Sequence, residues 1–87
     1  MKVVYLETAL KKLSKLDNSV KSRITGYINN LATLEDPRSR GKVLKGNLGE
    51  YWRYRVGDYR VICKIEDKEL IILVVEIGDR KEVYKSK

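Results

Sequence analysis

Hydrophobic and polar positions along the chain change period several times, and each change predicts an element. Residues 2–6, KVVYL, are a β-branched and aromatic run ending at Glu7 and Thr8, which predicts a short strand with Thr8 as the N-cap of a helix after it. In TALKKLSKL, Ala9, Leu10, Leu13 and Leu16 recur at helical spacing while Lys11, Lys12 and Lys15 take the other side, so this helix is amphipathic and basic outside. Asp17, Asn18 and Ser19 interrupt the pattern and cap a second helix, in which Val20, Ile24, Tyr27, Ile28, Leu31 and Leu34 hold the helical period. Gly26 inside it costs about 1 kcal/mol relative to Ala and marks a close crossing by another element. Glu35, Asp36 and Pro37 end it.

The stretch DPRSRGKVLKGN reads as a connection carrying Arg38, Arg40, Lys42 and Lys45, either following a phosphate backbone or standing as a solvated loop. Beyond it the pattern is β. EYWRYRV, then Gly57 and Asp58, then YRVICKI predict a hairpin with a two-residue turn, which opposes Val56 to Tyr59, Arg55 to Arg60, Tyr54 to Val61, Arg53 to Ile62 and Trp52 to Cys63. Trp52, Tyr54, Val56, Tyr59, Val61, Cys63 and Ile65 then share the face turned to the helices. Tyr51, Arg53, Arg55, Arg60 and Lys64 share the other, with Ile62 among them. Like charges facing each other in a sheet are destabilising, so Arg55 opposite Arg60 points to an anionic ligand. The last run, LIILVVEI, is apolar on both faces, as expected of a strand in mid-sheet, and its register is open. The expected fold is α+β: an antiparallel-rich sheet of about four strands with an N-terminal helical hairpin on one face, in the order β-α-α-β-β-β.

Length adds that 87 residues make one domain, spanning 1–87. With 19 Lys and Arg against 12 Asp and Glu, the formal net charge of +7 favours polyanionic partners. A single Cys points to a reducing compartment, the cytoplasm by default. The start lacks a signal-peptide cleavage site and LIILVVEI is less than half a membrane span, so no membrane association is expected.

Without His and with one Cys, a zinc site, a Ser-His-Asp triad and a His-based ribonuclease are excluded, and no phosphate-binding glycine loop is present. No carboxylate cluster is spaced for magnesium, so neither metal nor cofactor is expected. The remaining set, Arg, Lys, Tyr and Glu, suits metal-independent cleavage of RNA by its own 2′-hydroxyl, where a protein orients the nucleotide and neutralises charge growing on phosphorus. Arg clamps phosphate through its planar fork, and Tyr serves as a base where neighbouring cations favour the phenolate.

Several separated motifs, GKVLKGNLGEYWRYRVGDYRVIC and then LVVEIGDRKEVYK after the helical pair, resemble the RelE family of bacterial toxins within the RelE/ParE superfamily, over nearly the whole chain. The resemblance implies an endonuclease that enters the ribosomal A site and cuts mRNA there, leaving a cyclic phosphate and a free 5′-hydroxyl. It implies that Arg60 stabilises the transition-state phosphate, that Arg80 is a second phosphate-directed arginine, and that Tyr84 orients or deprotonates the nucleotide. Arg53 and Arg55 fall where relatives carry basic RNA-binding residues active in proton transfer. Because a guanidinium holds its proton above pH 12, here they are assigned to binding, with Lys42 and Lys45. Asp79 stands where many relatives have His or a basic residue. The partners implied are ribosome and mRNA, together with a cognate RelB-like antitoxin in a toxin–antitoxin heterotetramer.

Each reading has an alternative. The basic stripe is also a solvated surface, Tyr84 also a tail aromatic packed on the sheet, and Arg80 also an ion-pair partner of Glu76 or Glu82. Cys63 reads as a core residue. The rival functions are a ParE-like DNA gyrase inhibitor without chemistry and a plain RNA-binding module. The terminal Arg-x-x-x-Tyr, joined to Tyr59-Arg60, favours the RelE-like one.

Overall fold

The computed structural model describes residues 1–46 and 49–79, and for Lys45, Gly46 and Gly49 the backbone alone. Strand β1 (Lys2–Tyr5) leads into α1 (Glu7–Ser14) and α2 (Asn18–Leu31), then a 3-10 turn (Pro37–Arg40), then strands β2 (Lys42–Gly46), β3 (Gly49–Val56), β4 (Tyr59–Glu66) and β5 (Ile71–Asp79). Among the described residues the sheet has five strands in the order β1-β5-β4-β3-β2, with β1 parallel to β5 and the other pairs antiparallel. The expected α+β architecture is found. Its extra strand is β2, in the stretch read from sequence as a connection: Val43 and Leu44 are too few to declare a strand, but KVLKG pairs with β3 along its length.

The core lies between the helices and one sheet face. Ala9, Leu13, Ile24, Ile28 and Leu31 meet Tyr54, Val56, Val61, Cys63, Ile72, Val74 and Ile77, all buried. Leu10, expected with them, is 52% exposed, because α1 is short and buries only Ala9 and Leu13. Thr8 is not the N-cap of α1. Leu6 holds that position with no side-chain cap, because its backbone N–H still extends the ladder by donating to the Val74 carbonyl at 2.9 Å. The Thr8 hydroxyl donates instead to the Val75 carbonyl at 3.2 Å.

That carbonyl sits at an irregularity. β4 and β5 pair from Glu66 opposite Ile71 to Cys63 opposite Val74, and then resume with Ile62 opposite Glu76. Val75 is therefore one extra residue in β5, a β-bulge. Past it Ile77 faces Val61 in the core, and Glu76 faces Ile62 on the opposite side of the sheet.

Two glycines carry opposite expectations. Gly26 is crossed by nothing among the described residues: outside its own stretch of helix, no heavy atom of theirs lies within 4 Å of where a Cβ would stand. It lines an open groove of about 500 Å³ with Ser22, Arg23, Tyr27, Asn30, Leu31 and Arg40. Gly41 is tight, since a Cβ there would stand 2.8 Å from Tyr54 Cε1 and 3.1 Å from the Arg53 carbonyl oxygen. Gly26→Ala is expected to raise stability by about 1 kcal/mol, the helix-propensity gain, and Gly41→Ala to lower it by about 1–3 kcal/mol through overpacking. Urea unfolding of both variants checks the signs, and a neutral Gly41→Ala would refute the tight packing.

Cys63 is fully buried, and burial pushes its thiol up from 9.0 to about 12. Its neutral form therefore adds stability that is complete below pH 9 and is lost as pH rises through about 12. At pH 8 an aromatic disulfide reagent is expected to label folded protein at least about 10³-fold more slowly than unfolded protein, the ratio of thiolate fractions. Equal labelling rates would show an accessible thiol.

Candidate functional site

The sheet face away from the helices is uncovered among the described residues, and its side chains fall into rows set by the register. One row runs Arg55, Arg60, Gly78 across β3, β4 and β5. The next runs Lys42, Arg53, Ile62, Glu76 across β2 to β5. The hairpin register is the one its two-residue turn predicts, with Gly57 in the left-handed region at φ 60°. Two pairs of cations, Arg55 with Arg60 and Lys42 with Arg53, thus stand directly opposite each other. The pairing of β2 creates the second.

Each such pair costs stability unless something neutralises it. Among the described residues none of these four side chains forms an ion pair. The contrast is Arg38, expected in the same phosphate-following group but held elsewhere: its Nη2 donates to Asp67 Oδ2 at 2.6 Å, and Nη1 lies 3.6 Å from Asp36 Oδ1. It ties the 3-10 turn to the turn between β4 and β5. Lys64 on the uncovered face is partnered too, with Glu66 at 3.5 Å.

At the centre of this face lies a pocket of about 280 Å³, lined by Leu44, Tyr51, Arg60, Ile62, Glu76 and Gly78. Ile62 and Leu44 give it an apolar surface, Tyr51 an aromatic ring and the half-buried Arg60 a guanidinium. Gly78, directly opposite Arg60, puts no side chain beside that guanidinium and leaves room for a group held by it. The size and composition suit one nucleotide: an apolar and aromatic surface for the base, and a planar cation for the phosphate.

Of the residues singled out in the sequence, Lys42, Arg53, Arg55 and Arg60 share this face. Lys45 lies on β2, its side chain outside the described residues, as are Arg80 and Tyr84 entirely. Sequence reasoning did not single out Leu44, Glu76 or Gly78 as lining residues. A lone acidic residue inside an otherwise apolar strand is the signal that marks Glu76. Among the described residues no three His, Cys, Asp or Glu side chains gather in a way that could hold a metal ion. No described helix is long and apolar enough to cross a membrane.

Several solved structures share the fold. The toxin–antitoxin complex RelBE2 from Mycobacterium tuberculosis is 24% identical, covers 91% of this chain and 90% of its own, and superposes with a TM-score of 0.78. The archaeal RelE–RelB complex from Pyrococcus horikoshii OT3 is 26% identical, with coverage of 91% and 93% and a TM-score of 0.75. The intact RelBE complex of E. coli is 15% identical, with coverage of 90% and 94% and a TM-score of 0.72. No curated protein matches the chain in sequence. The family profile of the ParE toxin of the type II toxin–antitoxin system parDE matches residues 3–84. With nearly its whole length matched, the chain belongs to this family of type II toxins, within the RelE/ParE superfamily.

Proposed function

We propose that this toxin is a ribosome-dependent mRNA endonuclease of the RelE kind, acting in the A site and held inactive by a RelB-like antitoxin. The observation that carries the reading is the open sheet face, where Lys42, Arg53, Arg55 and Arg60, without an ion pair among the described residues, stand around a nucleotide-sized pocket. A polyanionic strand offsets the like-charge cost of both cation pairs at once. In the reaction the 2′-oxygen bonds to the adjacent phosphorus and the bond to the 5′-oxygen breaks, giving a cyclic phosphate. Arg60 donates to the phosphate oxygens as charge grows on them, a role that needs no proton exchange. Arg80 and Tyr84, which come after β5 in sequence, are assigned from their motif to a second phosphate contact and to orienting the nucleotide. The antitoxin assignment is supported by relatives whose structures are themselves RelE–RelB complexes.

Primer extension on mRNA programmed into purified ribosomes tests this. The expected result is a new stop within the A-site codon with the wild type, absent on free mRNA and lost with Arg60→Ala or Tyr84→Ala. A second reading, inhibition of DNA gyrase as a protein ligand, is favoured by the match to the ParE profile. Absence of a stop with folded wild type, together with loss of gyrase supercoiling, would establish it instead.

A further inference from the structure

A 2′-hydroxyl must lose a proton to attack, and the cations on the basic face do not take one: guanidinium and ammonium groups are already fully protonated at neutral pH, and an ordinary phenol keeps its proton there. A carboxylate lies in the same pocket. Glu76 lines it with Arg60, directly opposite Ile62 and one row from Arg60. Its side chain is exposed and, among the described residues, forms no ion pair, unlike Glu66, which is engaged by Lys64 at 3.5 Å.

The position of Glu76 comes from the bulge. Were the pairing of Cys63 with Val74 continued without the extra residue, Glu76 would oppose Val61 in the core and Ile77 would lie beside Arg60. Val75 reverses this, and its carbonyl is taken by the Thr8 hydroxyl, so α1 holds the irregularity from behind. Bulges recur next to active sites because they re-aim a side chain. Here the side chain re-aimed is the acid.

We infer that Glu76 is the general base of the cleavage reaction, an assignment that rests on the endonuclease reading. A Glu76 carboxylate oxygen takes the proton of the 2′-hydroxyl as O2′ bonds to phosphorus, while Arg60 holds the phosphate oxygens. The bond from phosphorus to O5′ breaks, O5′ takes a proton from water, and Glu76 returns its own to solvent. The net change is transfer of one proton from O2′ to O5′. The register places Arg53 and Lys42 in the row of Glu76, Arg60 and Arg55 in the row beside it, and Lys64 with its partner Glu66 on the same face, while Tyr51 lines the pocket with it; these are the charged or titratable groups of β2, β3 and β4 on this face among the described residues.

Single-turnover cleavage of mRNA on purified ribosomes, with toxin in excess and varied, separates the maximal rate from the half-saturating concentration. For Glu76→Gln the maximal rate is expected to fall about 10²-fold or more, the usual contribution of a general base, with half-saturation within about two-fold of wild type. Glu76→Asp is expected to recover part of the rate, and the acid limb of the wild-type pH–rate profile is expected to vanish in Glu76→Gln. A maximal rate within about three-fold of wild type, or a loss confined to half-saturation, would overturn the assignment and leave Glu76 a binding residue. If the wild type itself cuts nothing, the endonuclease reading fails and the assignment falls with it, an outcome told apart because every protein is then silent.

Discussion

Arg60→Ala is expected to reduce A-site cleavage by about 10²- to 10³-fold, the typical loss when one preorganised donor to a developing oxyanion is removed. Arg60 is the guanidinium of the basic face that lines the pocket, and Gly78 opposite leaves space beside it. On the proposed endonuclease reading, removing it takes away charge stabilisation at the reacting phosphate while Arg53, Arg55 and Lys42 still hold the strand. The loss should therefore appear in the maximal rate more than in half-saturation. Arg60→Lys should fall between, since an ammonium keeps the charge without the two-pronged donation. The side chain is half-buried on an uncovered face and partnerless among the described residues, so the thermal midpoint should hold or rise slightly as the repulsion from Arg55 disappears. An unaltered cleavage rate with Arg60→Ala would remove Arg60 from the chemistry.

The second large effect concerns stability. Tyr54 is 1% exposed, donates its hydroxyl to the Pro37 carbonyl at 2.9 Å, and sets its ring edge-on to Tyr27 at 6.2 Å between centroids. Burial, with the nearby Cys63 thiol second, pushes its hydroxyl well up, so it remains a donor throughout the neutral range. Tyr54→Ala is expected to cost about 3–5 kcal/mol, the range for an aromatic deleted from a core. Tyr54→Phe should cost about 1–2 kcal/mol, because the Pro37 carbonyl is left without its donor. Against a total of about 5–15 kcal/mol the first change is severe. Urea unfolding of both separates ring from hydroxyl: a Tyr54→Phe variant as stable as wild type would remove the hydroxyl from the account.

The hairpin was the most legible part of the fold, because Gly57-Asp58 fixes a two-residue turn and the turn fixes every pair from Trp52 with Cys63 onward. Placing Arg53, Arg55 and Arg60 on one face came from that alone. The second helix was legible from Ile24, Ile28 and Leu31, which the structure buries. The edge strand β2 was not, since two apolar residues among lysines and glycines resemble a loop until a neighbour pairs with them. Nor was the register of β5. In a strand apolar on both faces, an extra Val changes no pattern, yet it decides which face Glu76 occupies. The pocket was hidden for the same reason, as it forms across β2 to β5, and two of these four strands had no assigned register.

The parallel pairing of β1 with β5 has a consequence for the order in which the molecule assembles. Lys2 meets Ile71, so this junction spans nearly the whole chain, and its loop-closure entropy is among the largest the fold must offset. β5 is also the strand that joins β1 to the hairpin side of the sheet. During synthesis the helices and the β2–β4 meander emerge before the strand that unites them. Gly78, which sits opposite Arg60, is delivered with that same strand. The pocket on the basic face is thus completed by the step that closes the sheet, and a nascent toxin carries no finished pocket until β5 is in place.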